Sequence, residues 1–194
     1  MKITVVEEGW VTRSDATNPG QACGSRCAIA TDGTVICSYM AQTKLAANDF
    51  CPMLARSRDG GVTWHDHRPV WPHLAGPWSI FVSISRAPDG RLFFFGKRWP
   101  IDEPGESFWS EKTQGLKQNE LVWSSSTDDG RTWGDPQVIP MPVPGAAEAP
   151  GAMCVTRTGR WLCCYSPYNT FDADLSVDRS QVLALASDDH GKTW

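Results

Sequence analysis

Apolar and polar residues alternate over short stretches of the chain and never settle into a sustained helical period, so the pattern predicts short strands joined by turns. Three segments follow one plan. Residues 26–39, 83–95 and 153–165 each hold a β-rich run, a turn ending in glycine (Gly33, Gly90, Gly159) and a second β-rich run, the layout of a hairpin with strands A and B. A third run, strand C, follows each hairpin after a loop, at 51–56, 120–125 and 181–186. Ahead of them, residues 2–6 alternate as a strand does, and a polar loop extends to about residue 22.

Every strand C leads into the same eight-residue box. Residues 57–64, 126–133 and 187–194 all fit S-x-D-x-G-x-T-W, and recurrence at fixed positions marks a repeat architecture. The chemistry is that of a tight turn. Asp59, Asp128 and Asp189 can accept hydrogen bonds from turn N–H groups, while Gly61, Gly130 and Gly191 supply a backbone conformation that a Cβ disfavours. Trp64, Trp133 and Trp194 offer a large ring to the layer beneath and an indole N–H that needs a partner. All nine residues are therefore expected to be structural.

The unit of A, turn, B, loop, C, box and a fourth strand D is a four-stranded antiparallel blade, and its repetition predicts an all-β propeller. Blades are expected over about 23–75, 78–145 and 148–194, with boxes 69 and 61 residues apart. Closed rings hold about four to eight blades, and the third box ends the chain before its strand D. The expectation is thus an N-terminal piece of a longer protein. Because strand direction alternates, A–B turns and boxes should share one face, and strand A starts and B–C loops the other. A small-molecule site is expected on the second face.

The boxes resemble the Asp boxes, or BNR repeats, of the sialidase (neuraminidase) superfamily, and the resemblance runs over nearly the whole chain. It implies a six-bladed ring, of which about three blades are present. It also implies a glycoside hydrolase acting on terminal sialic acid or a related sugar of glycoconjugates, with a Tyr nucleophile assisted by a Glu, an Asp acid/base and three Arg gripping the carboxylate. Similar boxes occur in non-hydrolytic propellers, so the alternative is a carbohydrate- or protein-binding module. The fold alone does not choose.

Carried onto this chain, the first Arg falls nearest to Arg26, in Ser25-Arg26-Cys27, and the acid/base Asp nearest to Asp49 in the first B–C loop. Neither match is complete: the Arg-Ile-Pro of the family is missing its Ile and Pro, and both residues lie closer to their landmarks than in the family pattern. Arg26 is either a carboxylate ligand or an Arg whose stem covers a strand end. Asp49 is either an acid/base or a loop cap. Arg98 and Glu148 are further candidates for substrate contact, with Lys97, Trp99, Tyr165, Tyr168 and Asp172 nearby on the same face. The remaining Arg residues, the Tyr and the Glu are expected beyond Trp194.

Composition narrows the partners. With 194 residues and 41% hydrophobic content the chain can bury an ordinary core. A net charge of −4 and a pI near 5.5 argue against nucleic acid, which calls for a basic stripe. Seven cysteines without metal-type spacing, most of them in strand-like runs, read as buried free thiols, and nothing calls for a metal or organic cofactor. With no apolar leader and no spanning segment, the chain is expected to be cytoplasmic.

Overall fold

A computed structural model describes residues 8–14, 20–148 and 151–194, so the strand expected at 2–6 lies outside the described residues. The first blade consists of β1 (Gln21–Ile29), β2 (Val35–Gln42), β3 (Cys51–Ser57) and β4 (His65–Pro69), hydrogen-bonded in that order. The second is built from β5 (Trp78–Arg86), β6 (Leu92–Pro100), β9 (Glu120–Ser126) and β10 (Gln137–Ile139). Its B–C loop carries a small extra hairpin, β7 (Trp109–Ser110) and β8 (Gly115–Leu116). In the third blade strand A is broken into β11 (Ala146–Glu148) and β12 (Cys154–Val155), both paired with β13 (Trp161–Tyr168), which pairs in turn with β14 (Leu183–Ser187). Every pairing between these named strands is antiparallel. The chain is an all-β protein of antiparallel blades, two with four strands and a third with strands A to C among the described residues, as its pattern predicts.

The three A–B turns are nearly superimposable in their bonding. Gly33, Gly90 and Gly159 stand at φ of 85°, 88° and 86°, and their N–H groups donate to Ala30, Ala87 and Thr156 carbonyls at 3.0–3.1 Å. Glycine is needed here because this left-handed region costs a side chain about 1–2 kcal/mol.

Two apolar layers hold the blades together. Ile36, Met40 and Leu54 of the first blade pack with Ile80, Val82, Ile84, Leu92 and Phe94 of the second. Phe93, Phe95, Leu121 and Trp123 of the second pack with Trp161, Cys163 and Tyr165 of the third. The run Leu92-Phe93-Phe94-Phe95 serves both layers, because alternate residues of a strand point to opposite faces. A central blade is therefore apolar on both sides, which explains why β6 shows a continuous apolar run instead of alternation.

The thiols depart from expectation. Cys37 and Cys163 are buried, and burial pushes each up to about 12, but Cys23, Cys27, Cys154 and Cys164 are exposed. The reason is geometric. Cys23 and Cys27 lie on β1, an edge strand exposed along most of its length, and adjacent Cys163 and Cys164 must face opposite sides of β13.

Candidate functional site

A cavity of about 750 Å³ opens where strands A begin and strands B end, on the face opposite the boxes. Three blades contribute to it. The first gives Gly24, Ser25 and Arg26 from β1 and Phe50 just before β3; the second gives Phe81, Ser83, Lys97, Trp99 and the loop residues Phe108, Trp109 and Leu116. The third gives Glu148, Gly151 and Tyr168.

A bulge in β1 places Arg26. Cys23 pairs with Met40 and Arg26 with Ser38, so Gly24 and Ser25 together oppose Tyr39, and Gly24 adopts φ +65°. A Cβ on Gly24 would stand 2.7 Å from the Phe81 ring, so the bulge depends on glycine at that point. The irregularity turns the start of strand A into the wall of the cavity. Arg26 is exposed and takes part in none of the ion pairs among the described residues.

Lys97 and Glu148 meet across the boundary between the second and third blades, with Nζ 2.7 Å from Oε2. Their side chains are 8% and 38% exposed. Burial pushes the Lys97 ammonium below its usual range, and the carboxylate of Glu148 pulls it back up. The Lys97 ammonium also lies 5.2 Å from the centre of the Trp99 ring. Asn119 secures Glu148 from below: its Nδ2 donates to the Ala147 carbonyl at 3.1 Å, and its Oδ1 accepts from the Ala147 N–H at 2.7 Å. Sequence reasoning missed Asn119, since a lone Asn before a strand carries no signal of a contact 28 residues away.

The aromatic wall is a contact network. Phe50 lies 5.2 Å from Phe81, 6.0 Å from Trp99 and 5.3 Å from Phe108, and the Trp99 indole donates to the Lys117 carbonyl at 3.0 Å. The loop bearing Phe108 is pinned by a polar cluster that the sequence did not announce. Lys117 Nζ bonds Asp102 at 2.7 Å and Glu106 at 2.6 Å, and Asn48 of the first blade donates to Glu106 at 2.7 Å and to the Pro100 carbonyl at 2.8 Å. B–C loops of neighbouring blades are thereby tied together above the cavity.

The candidates named from sequence divide. Arg26, Lys97, Trp99, Glu148 and Tyr168 line the cavity together. Arg98, one residue along β6, points the other way, bonding Glu120 at 2.8 Å and stacking 4.0 Å from the centre of Trp78. Asp49 lines a separate groove with Thr12, Tyr39 and Thr43, and its carboxylate accepts from the Thr43 N–H at 3.3 Å and from the Thr43 hydroxyl. Tyr165 is buried in the second apolar layer, and Asp172 is exposed and accepts from the Asp174 N–H.

At the far end the boxes bond as turns. Asp59 accepts from Ser57, Thr63 N–H and the Thr63 hydroxyl at 2.6–2.9 Å, and Asp128 from Ser126, Thr132 N–H and the Thr132 hydroxyl at 2.6–3.0 Å. Asp189 repeats this with Ser187 and Thr193. Trp64 and Trp133 donate to the carbonyls of Gly61 and Gly130. Trp194 Nε1 is buried without a hydrogen bond among the described residues.

Residues 17–194 match the family described as BNR repeat-like domain. The chain belongs to that family. No curated protein matches it in sequence. Among solved structures it is similar to a protein of unknown function from Dyadobacter fermentans, with a TM-score of 0.67, 18% identity and coverage of 90% of this chain and 53% of that one. It is also similar to the Hadza microbial sialidase Hz136, at a TM-score of 0.57, 21% identity and coverage of 89% and 36%. The NanB sialidase of Streptococcus pneumoniae aligns at a TM-score of 0.63 and 12% identity over 96% and 45%. At such identities the likeness is one of fold, and it agrees with the β-propeller architecture of the matched repeats. The chain spans about a third to a half of the length of these structures.

Proposed function

We propose that the cavity is the sugar site of a sialidase-like glycoside hydrolase acting on terminal sialic acid or a related sugar of glycoconjugates. The observation that carries this reading is Arg26, an exposed guanidinium that the β1 bulge sets at the rim of an aromatic-walled cavity. A guanidinium offers planar, permanently charged donors matched to a carboxylate, and aromatic faces suit the apolar side of a sugar ring. Lys97 does not supply a second free charge, because Glu148 neutralises it. Two of the structures this chain resembles are sialidases, which supports the same reading at the level of the fold.

One observation favours a second reading, a non-catalytic sugar-binding propeller. Asp49, the candidate acid/base, faces Thr43 in a groove apart from the cavity. The full-length protein separates the two. With a fluorogenic sialoside, the enzyme reading expects turnover and a tenfold or greater rise in KM for Arg26→Ala. Calorimetric binding of N-acetylneuraminic acid without turnover, weakened by Arg26→Ala and indifferent to Asp49→Ala, selects the binding module. A protein that neither binds nor cleaves sialosides removes both.

A further inference from the structure

A second cavity, of about 280 Å³, lies at the box end of the molecule. It is lined by four guanidinium groups: Arg56 near the end of β3, Arg58 in the first box, Arg68 on β4 and Arg131 in the second box. The opposing carboxylates on its walls are Asp32 and Asp66. Asp66 is 3.1 Å from His65, and Asp32 accepts from the Thr34 N–H at 2.9 Å. Asp129 stands just outside, bonded to Thr31 and 3.9 Å from Arg131. Even with Asp129 counted, the guanidinium groups outnumber the carboxylates.

None of Arg56, Arg58 and Arg68 has a carboxylate within 4.0 Å among the described residues; Arg131 alone does, through Asp129. Arg56 donates to the Asp129 carbonyl at 2.7 Å, and Arg68 donates to the carbonyls of Gly130 at 3.1 Å and Arg131 at 2.8 Å. These bonds fix two guanidinium planes and still leave donors on each group, since an Arg carries five N–H donors. Burial, and then the like charges of Arg68 and Arg131, push the Arg56 guanidinium below its usual range. Such an assembly is stabilised by an anion with several oxygens, which the rigid forks match better than a point charge does.

We propose that this cavity is a binding site for a tetrahedral oxyanion, a sulfate or phosphate group, bridging the first blade and the box of the second. The group arrives either as the free ion or as an ester on a larger molecule such as a sugar. The site is independent of the sugar cavity on the opposite face.

The test uses the full chain, with inorganic sulfate, inorganic phosphate, glucose 6-sulfate and glucose 6-phosphate as probes, titrated by calorimetry against chloride at matched ionic strength. Arg58→Gln is the primary variant, because Arg58 is exposed and the first box keeps its Ser57, Asp59 and Thr63 bonds without it. Saturable binding is expected in the wild type, weakened tenfold or more by Arg58→Gln and by Arg131→Gln and retained in Arg26→Ala. Thermal unfolding in chloride shows whether each variant is folded. Tighter binding of the esters identifies a group presented by a larger molecule, and tighter binding of the inorganic ions identifies the free anion. No saturable binding, equal binding by wild type and both arginine variants, or loss only in Arg26→Ala overturns the inference.

Discussion

The first and second boxes make the same internal bonds, yet they sit in different surroundings. In the first, Asp59 is exposed, and a Cβ on Gly61 would meet only the ring of its own Trp64, at 3.7 Å. In the second, the preceding blade reaches over: Thr31 donates to Asp129, Arg56 and Arg68 donate to box carbonyls, and a Cβ on Gly130 would stand 3.5 Å from Arg56 and from Ile36 of that blade. The Trp71 indole adds a bond to the Gly134 carbonyl at 2.9 Å. The third box goes further, since Gly191 lies against Trp123 of the second blade. One motif therefore does two jobs. It closes its own turn by local bonds, and where a neighbouring blade is present it becomes the joint between blades.

Replacing the box glycine puts that comparison under the greatest stress. Gly61→Ala and Gly191→Ala share the penalty of a positive φ, about 1–2 kcal/mol, but a Cβ at Gly191 would stand 2.5 Å from the Trp123 ring. Overpacking adds about 1–3 kcal/mol more. Chemical denaturation should show the larger loss for Gly191→Ala; equal losses mean that Trp123 yields freely and the third box is no joint.

Removal of the box carboxylate comes next. Asp128→Ala removes bonds to a half-buried carboxylate, costing about 1–3 kcal/mol, whereas Asp59 is exposed and its loss should cost less. The drop in melting temperature should be distinctly greater at 128, and neither variant should change the sialoside titration proposed for the opposite face. A selective loss of ligand at unchanged melting temperature breaks the structural reading of the boxes.

Arg68→Ala probes the joint without touching the turn. Loss of its bonds to two box carbonyls should cost about 1–2 kcal/mol, and hydrogen exchange should quicken at the second box and not at the first. Uniform exchange across both boxes contradicts an inter-blade role.

The smallest effect is that of pH. Thr193, by its hydroxyl and its N–H, holds the Asp189 carboxyl to about 2, and hydrogen bonds depress Asp59 and Asp128 likewise, at Asp128 against the opposing push of burial. Because the folded values lie below the unfolded carboxylate value near about 4, the contribution is full above that value and is lost as pH falls through it towards the folded ones. Melting temperature should decline between roughly pH 5 and 2. Asp128→Asn should flatten that decline more than Asp59→Asn, and the reverse order contradicts the comparison.

Much of the box end was legible because its chemistry is local. Ser57, Asp59, Gly61 and Thr63 find one another within a few residues, so a pattern along the chain predicts the bonds themselves. The cavity end was legible only in part. Arg26 and Glu148 stand in the cavity, but Arg98 turns away because alternation along β6 gives the cavity to Lys97. Asp49 follows its own loop to Thr43. The thiol prediction failed for a related reason, since a β-rich run announces a strand without saying which of its faces a neighbour covers.

The sequence by itself determined the repeating unit, the turn chemistry and the order of strands, because each rests on contacts within one blade and on backbone preferences of single residues. Tertiary structure alone decided which charges meet. Lys97 reaches Glu148 across 51 residues, and Arg68 reaches Gly130 across 62. These pairings depend on how twisted sheets stack side by side, and a contact between separate blades leaves no trace in the spacing of residues along either one.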